Sequence, residues 1–134
     1  MEKIHVLHVL NSASGGSAIS TFGLIENLKR KGVKSSLVCF NNANDEQCKQ
    51  INSLVEGRVL FIPLYWTNKR IRASLWKRPL IELKALWDTW GGFRYLKQLD
   101  NLIKKNGVTV VHTSTILNRE GALAARRNKL PAWH

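Results

Sequence analysis

The sequence is poor in cysteine and has no long apolar run. Its two cysteines, Cys39 and Cys48, have neither C-x-x-C spacing nor the arrangement of a disulfide framework, so we expect reduced thiols. No stretch approaches the roughly 20 apolar residues that span a bilayer. The apolar run at residues 4–10 is interrupted by His5 and His8 and is followed by no cleavage site, so we expect no signal peptide. These absences predict a cytoplasmic protein.

Several functional motifs are missing as well. The sequence has no G-x-G-x-x-G fingerprint and no acidic residue after its second predicted strand, which disfavours a NAD-dependent oxidoreductase. It has no G-K-[ST], which disfavours an ATPase or GTPase with a P-loop. No H-x-x-x-H, paired Cys/His or carboxylate cluster indicates a metal site. No helix-turn-helix, RNP or zinc-finger pattern indicates nucleic acid as a partner.

Acidic residues are scarce. Nine Asp and Glu accompany 21 Lys and Arg, and the net charge of +12 favours anionic partners such as phospholipid or a phosphorylated substrate. More than half of this excess lies in residues 69–105, which contain three acidic residues and ten basic ones. The basic residues are Lys69, Arg70, Arg72, Lys77, Arg78, Lys84, Arg94, Lys97, Lys104 and Lys105.

The first forty residues predict a βαβ unit. An apolar strand at 4–10 is followed by a small-residue turn and a helix over 17–31, for which Ser17 is the expected N-cap and Gly32 the expected C′ residue. A second strand follows at 35–40. Such a crossover makes a parallel sheet.

The rest of the chain continues the alternation of strands and helices. Gly91-Gly92 is expected to break or kink the helical pattern between 80 and 105, with one helix on each side of it, and a fifth strand begins at Pro131. We therefore predict one Rossmann-like α/β domain over residues 1–134, with three layers, a mainly parallel sheet and a truncated end. The remaining predicted elements are a helix at 44–55, strands at 58–62 and 108–112, helices at 80–90 and 93–105, and a helix at 118–128.

Two candidate sites follow predicted strands. The turn Gly15-Gly16-Ser17 leads from the first strand into a helix, whose free N–H groups and positive dipole end suit an anion. The alternative is that the glycines only permit a tight turn. His112, with Thr113, Ser114 and Thr115, closes the fourth strand and is suited to bind a sugar hydroxyl or transfer a proton. The alternative for His112 is a structural role, which we also expect for His5 and His8.

A third candidate is the basic, tryptophan-rich segment between Tyr65 and Lys105. Tryptophan with Lys and Arg on an amphipathic helix is typical of a membrane-surface helix. The alternative is that the apolar stripe packs on the sheet and the charges are solvated. The residues that would form this membrane or acceptor surface are Arg70, Arg72, Trp76, Lys77, Arg78 and Trp87.

Two segments, one near each end of the chain, combine several motifs in a fixed order. The first is HVLHVLNSASGGSAISTFGLIENLKRKG, with its strand, Gly-Gly loop and helix ending in basic residues and glycine. The second is VVHTSTILNREGALAARRNKLPAWH. Together they resemble family 4-like glycosyltransferases, in which the second segment has a V-H-T-N-T strand, a G-A-x-A-A helix and a closing P-H-V-W-H. The residues between these two segments resemble the family only in their general character.

The resemblance implies half of a GT-B fold, in which two Rossmann-like domains face a cleft and no metal is obligatory. Gly15 and Gly16 would then lie near the donor phosphates and the acceptor, and His112 near the transferred sugar, with Thr113 and Thr115 beside it. Ser114 stands where relatives often carry Asn or His. A sugar-nucleotide donor would bind the second domain, and no tightly bound cofactor is expected on this one.

The family's pair of glutamates eight positions apart has no counterpart in this sequence. The chain is therefore expected to be inactive alone, as the acceptor-binding domain of a retaining hexosyltransferase. The resemblance implies a glycan or lipid-linked acceptor, a role in cell-surface glycan or glycolipid assembly, and a peripheral position at the inner face of the cell membrane. Two other functions stay open: a stand-alone membrane- or anion-binding α/β module, or another GT-B relative such as a sugar-nucleotide epimerase.

Overall fold

The structure, a computed structural model, describes residues 3–10, 12–39, 44–55, 59–61, 76, 78–114 and 119–133. Strands and helices alternate along the chain, as the sequence predicts. The strands are β1 (His5–Leu10), β2 (Lys34–Cys39), β3 (Val59–Phe61), β4 (Val110–Thr113) and β5 (Ala132–Trp133). The helices are α1 (Gly16–Arg30), α2 (Asp45–Leu54), α3 (Arg78–Asn106) and α4 (Arg119–Arg127).

The strands form one sheet in the order β3-β2-β1-β4-β5, and every pairing is parallel. The chain adds strands on one side of β1, then returns through α3 and continues on the other side. The strand order therefore reverses between β1 and β4. This confirms the predicted Rossmann-like α/β fold, and it puts the switch point, where such sheets bind ligands, beside β1.

Two apolar clusters cover opposite faces of the sheet. One contains Leu10 and Leu37 and packs against Phe22 and Ile25 of α1 and Ile51 of α2. The other is built from alternate sheet residues and from α3 and α4, and its members include Leu7, Val9, Val38, Val111, Leu99, Ala124 and Ala125. Because successive strand residues point to opposite faces, the sheet is buried on both sides. The domain has the three layers that the sequence predicts.

Glycines with positive φ determine where α1 begins and ends. Gly32 has a positive φ of 75°, and its N–H and that of Val33 donate to the carbonyls of Lys29 and Leu28, both at 2.9 Å. This Schellman motif confirms Gly32 as the C′ residue. The prediction that Ser17 caps the N-terminus was wrong, because the helix starts at Gly16 and Gly15 is its N-cap, with no side-chain cap. The positive φ at Gly15 turns the chain into the helix two residues before the predicted Ser17 cap.

The predicted break at Gly91-Gly92 was also wrong, because α3 is one helix of 29 residues. Glycine costs about 1 kcal/mol in a helix but keeps its N–H and C=O, so it does not interrupt the hydrogen bonding. The burial of Leu96, Leu99 and Leu102 against the sheet stabilises the second half of the helix. Pro79 lies in the first turn, where a missing N–H has no effect on the helix.

Candidate functional site

The carboxyl ends of β1 and β4 lie side by side. Val9 is in register with Thr113, and the N–H and hydroxyl of Ser114 both donate to the carbonyl of Val9, at 3.2 and 3.3 Å. The chain leaves β1 through residues 12–15 to reach α1 at Gly16. The glycine turn and the end of strand four therefore belong to the same edge of the sheet, at the switch in strand order.

The glycine turn presents the amino end of α1. Gly15 has φ 98° and ψ 178°, backbone angles that a residue with a side chain rarely adopts. The N–H of Ile19 donates to the carbonyl of Gly15, so the N–H groups of Gly16, Ser17 and Ala18 precede the first intrahelical bond. The first turn contains no acidic residue. This is the electrostatic environment that anions favour.

A groove of about 580 Å³ runs from this turn between α1 and α2. Its walls combine an aromatic ring, apolar side chains, amides and a carboxylate, a mixture that is typical of small-molecule sites. His112 does not line it, so this groove does not join the glycine turn to the end of β4. Lining residues include Ser14, Gly15, Phe22, Glu26, Gln47 and Gln50.

His112 is half-buried, one residue before the end of β4, and its ring lies against His8 of β1. The two residues are in register on neighbouring strands. Their Nδ1 atoms are 3.1 Å apart, and the rings meet edge to face at 72° with centroids 5.2 Å apart. On its other side, Nε2 of His8 lies 3.3 Å from the hydroxyl oxygen of Ser35 in β2. One chain of polar contacts thus crosses three strands.

The environment of His8 keeps its ring neutral. Its side chain is fully buried. Desolvation, and then the charges of His112 and His5, lower the pKa of His8 from 6.5 to about 3. From the sequence we expect only a structural role for His8, and the contact with His112 is not predicted. Only the adjacency of β1 and β4 brings the two histidines together, and no local pattern encodes that adjacency.

His5 points to the opposite face of the sheet from His8, and its contacts are structural. Its Nδ1 donates to the carbonyl of Asn106 at the end of α3, at 2.9 Å, and its Nε2 lies 2.8 Å from the hydroxyl of Ser36. The ring therefore joins β1, β2 and the carboxyl end of α3, in keeping with the role expected from the sequence.

The other residues predicted after strand four differ in position. Thr113 is buried, and its hydroxyl donates to the carbonyl of Trp133 at 3.3 Å. Its methyl group faces Gly121 of α4, where a Cβ atom would overlap it. Thr115 lies outside the described residues. Across the described ranges, no three His, Cys, Asp or Glu residues are grouped so that they could hold a metal ion.

The amino end of α3 exposes large apolar side chains. Trp76, just before the helix, is 92% exposed, and Leu80 and Leu83 are each 71% exposed. The carboxyl half of the same helix packs on the sheet, as the second of the two alternatives for this segment predicts. Arg78 and Trp87 belong to α3, whereas Arg70, Arg72 and Lys77 lie outside the described residues. Within the described part of the chain, no helix is long and apolar enough to cross a membrane.

Two solved structures share this fold. The chain superposes on a glycosyltransferase from Rickettsia africae ESF-5 with a TM-score of 0.58 and 17% identity, covering 99% of this chain and 29% of that one. It superposes on MurG from Acinetobacter baumannii with a TM-score of 0.55 and 20% identity, covering 96% of this chain and 33% of that one. The similarity establishes the fold. No protein-family model and no curated protein sequence matches the chain.

The chain spans about a third of the length of each of these two proteins. In both cases nearly all of this chain takes part in the superposition.

Proposed function

We propose that this chain is the N-terminal, acceptor-binding domain of a sugar-nucleotide-dependent glycosyltransferase with a GT-B fold, within a longer enzyme. The observation that carries the proposal is the shared edge of β1 and β4. There the amino end of α1 and His112 lie at the switch point of a fold that a known glycosyltransferase also has. The family 4-like motifs around the same two strands support it.

In this proposal the two sides of the edge have different tasks. The N–H groups at Gly16 and Ser17 bind a phosphate of the donor or of a phosphorylated acceptor. His112 interacts with the transferred sugar or its leaving group as a proton donor or hydrogen-bond partner. The groove between α1 and α2 binds acceptor hydroxyls through Gln47, Gln50 and Glu26, with Phe22 as an apolar wall.

The donor's nucleotide and the paired glutamates of a retaining transfer belong, in this proposal, to a second domain. The acceptor is a glycan or a lipid-linked sugar of the cell surface. The alternative of a sugar-nucleotide epimerase uses the same fold, and the products distinguish them: a glycoside for the transferase, and an epimerised sugar nucleotide for the epimerase.

The test is transfer by the full-length protein from a panel of UDP- and GDP-sugars, with product analysis. We expect His112→Ala to lower kcat by about 10²- to 10⁴-fold, the usual contribution of a positioned acid or base. Arg126→Ala, exposed on α4 and outside residues 69–105, is the control and is expected to keep wild-type activity. Unchanged kcat in His112→Ala, with an unchanged melting temperature, would contradict the role of His112. Absence of any glycoside product would contradict the proposed activity.

The exposed end of α3 supports a further part of the proposal, namely a peripheral position at an anionic membrane. Trp76, Leu80 and Leu83 provide apolar side chains that can enter the headgroup region, and residues 69–105 carry the excess of basic charge. Each Lys or Arg near an anionic leaflet contributes about 1 kcal/mol. A surface of this kind would bring the groove to a lipid-linked acceptor.

Flotation with vesicles tests this. The full-length protein is expected to float with vesicles containing anionic phospholipid, less with pure phosphatidylcholine, and less at high salt. Leu80→Ser with Leu83→Ser is expected to weaken binding at least about tenfold, because buried leucines contribute roughly 1.5–3 kcal/mol each. Leu123→Ser, at a leucine 48% exposed on α4, is the matched control. Equal loss in the control, or no flotation of the wild type, would exclude this surface.

A further inference from the structure

Ser35, His8 and His112 form a row across the neighbouring strands β2, β1 and β4. We propose that His8 is a positioning residue that holds the ring of His112 in place and fixes its neutral tautomer with the proton on Nε2. His112 would then be a hydrogen-bond donor, and not a base, in the resting protein. The consequence for catalysis rests on the function proposed above, but the tautomer itself does not.

The direction of the hydrogen bonds follows from Ser35. Its side chain is 3% exposed, and the polar partner that the described contacts give its hydroxyl is Nε2 of His8. A buried hydroxyl needs an acceptor for its hydrogen, so Ser35 donates and Nε2 of His8 accepts. A neutral imidazole carries one proton, so that of His8 is on Nδ1.

The position of the proton on His112 follows from that on His8. Nδ1 of His8 lies 3.1 Å from Nδ1 of His112, and only one of the two atoms can donate. Because His8 carries its proton there, Nδ1 of His112 accepts, and the proton of His112 is on Nε2. The reverse direction would make His8 donate to Ser35 and leave the buried hydroxyl hydrogen without an acceptor among the described contacts.

His5 provides an independent example of this arrangement in the same strand. Its Nδ1 contacts a backbone carbonyl, that of Asn106, which can only accept. His5 therefore carries its proton on Nδ1 and accepts from the Ser36 hydroxyl at Nε2. Consecutive serines of β2 thus orient two histidines of β1 in the same way, one on each face of the sheet. The two histidines differ in the acceptor of the Nδ1–H hydrogen bond, which is a backbone carbonyl for His5 and Nδ1 of His112 for His8.

The fixed direction has a chemical consequence. With His8 neutral and donating, Nδ1 of His112 cannot take up a proton unless the whole row reverses. The ring is thus held as a neutral hydrogen-bond donor at Nε2, for example to a phosphate oxygen or a sugar hydroxyl, and it keeps its proton in that contact. This would separate His112 from a general base such as the histidine of a serine protease, whose Nδ1 donates to a carboxylate.

Long-range ¹H–¹⁵N spectra of the histidine rings in the full-length protein test the tautomers. At pH 7.5 we expect His112 in the Nε2–H form and His5 and His8 in the Nδ1–H form. Ser35→Ala removes the donor to His8 and is expected to shift the ring signals of both His8 and His112. Ser36→Ala is the matched control and is expected to shift those of His5 alone. His112 in the Nδ1–H form, or unchanged in Ser35→Ala, would overturn the proposal.

Kinetics separate positioning from a merely structural role. Ser35→Ala is expected to lower kcat roughly tenfold with little change in KM, as the loss of outer contacts to an active group does, and Ser35→Thr to restore it. If the tautomers are as expected but neither Ser35→Ala nor His112→Ala alters transfer, the row stands and the function proposed for His112 fails. If His112→Ala abolishes transfer but His112 has the Nδ1–H form, the function proposed for His112 stands and the proposed proton positions of the row are wrong.

Discussion

Gly121→Ala is expected to lower the free energy of unfolding by about 3 kcal/mol, toward the upper end of what overpacking costs. Gly121 is buried in α4 against the sheet. A Cβ there would overlap the methyl group of Thr113 and lie 3.3 Å from Cγ2 of Val9. Both neighbours are β-branched, so their χ1 angles are restricted, and both are buried in the sheet. The helix would have to move away from β4.

Gly23→Ala is the matched control. Gly23 lies in α1, is exposed, and has no atom within 4 Å of an added Cβ. There the higher helix propensity of alanine is expected to stabilise the protein by up to about 1 kcal/mol. Urea unfolding at pH 7.5 measures both variants. A Gly121→Ala variant as stable as the wild type would mean that α4 does not approach β4 as closely as described.

Acidification is expected to destabilise the protein through His8. Burial and the charges of His112 and His5 lower the pKa of the folded-state ring to about 3, against 6.5 in the unfolded chain. Between these values the unfolded state binds the proton and the folded state does not. The stability is therefore complete above about pH 6.5 and is lost as the pH falls toward 3. Each unit of pH in this window costs about 1.4 kcal/mol, or about 2 kcal/mol in total at pH 5.

Urea unfolding at pH 7.5, 6, 5 and 4 measures this loss. His8→Gln removes the titrating group while keeping a polar side chain, so its stability is expected to depend less steeply on pH between 6.5 and 4. The absolute stability of the variant at pH 7.5 is expected to be lower, because the contacts with Ser35 and His112 change. If the two proteins showed the same pH slope, His8 would not be the group responsible for the acid sensitivity.

Local patterns predicted most of the elements. The apolar stretches of β1 and β2 and the positive φ at Gly32 follow from residue types and spacing, and these predictions were confirmed. The two errors concern glycine. At Gly91-Gly92 the sequence indicated a break, but the packing of the following turns on the sheet exceeds the local cost. At Gly15 the backbone turn replaced the serine cap.

The candidate site was predictable only in part. Once the strand order is known, the βαβ rules place the carboxyl ends of the parallel strands β1 and β4 next to each other. Gly15 and His112, which follow or close these strands, then lie at the same edge of the sheet. The contact of His112 with His8 was missed, because it depends on the register His8 with His112 between strands that are distant in sequence. Likewise, the exposure of Leu80 and Leu83 could not be predicted from the apolar periodicity. Periodicity predicts that a helix has an apolar face, but not whether another part of the protein covers that face.

The sequence alone determined the alternation of strands and helices, the parallel sheet and the positions of the turns, because these depend on apolar period and on glycine within a few residues. The tertiary structure decided which side chains meet. Strand order and register bring Ser35, His8 and His112 into one row and Gly121 against Thr113, and contacts between residues so far apart in the chain form only when the whole sheet is assembled.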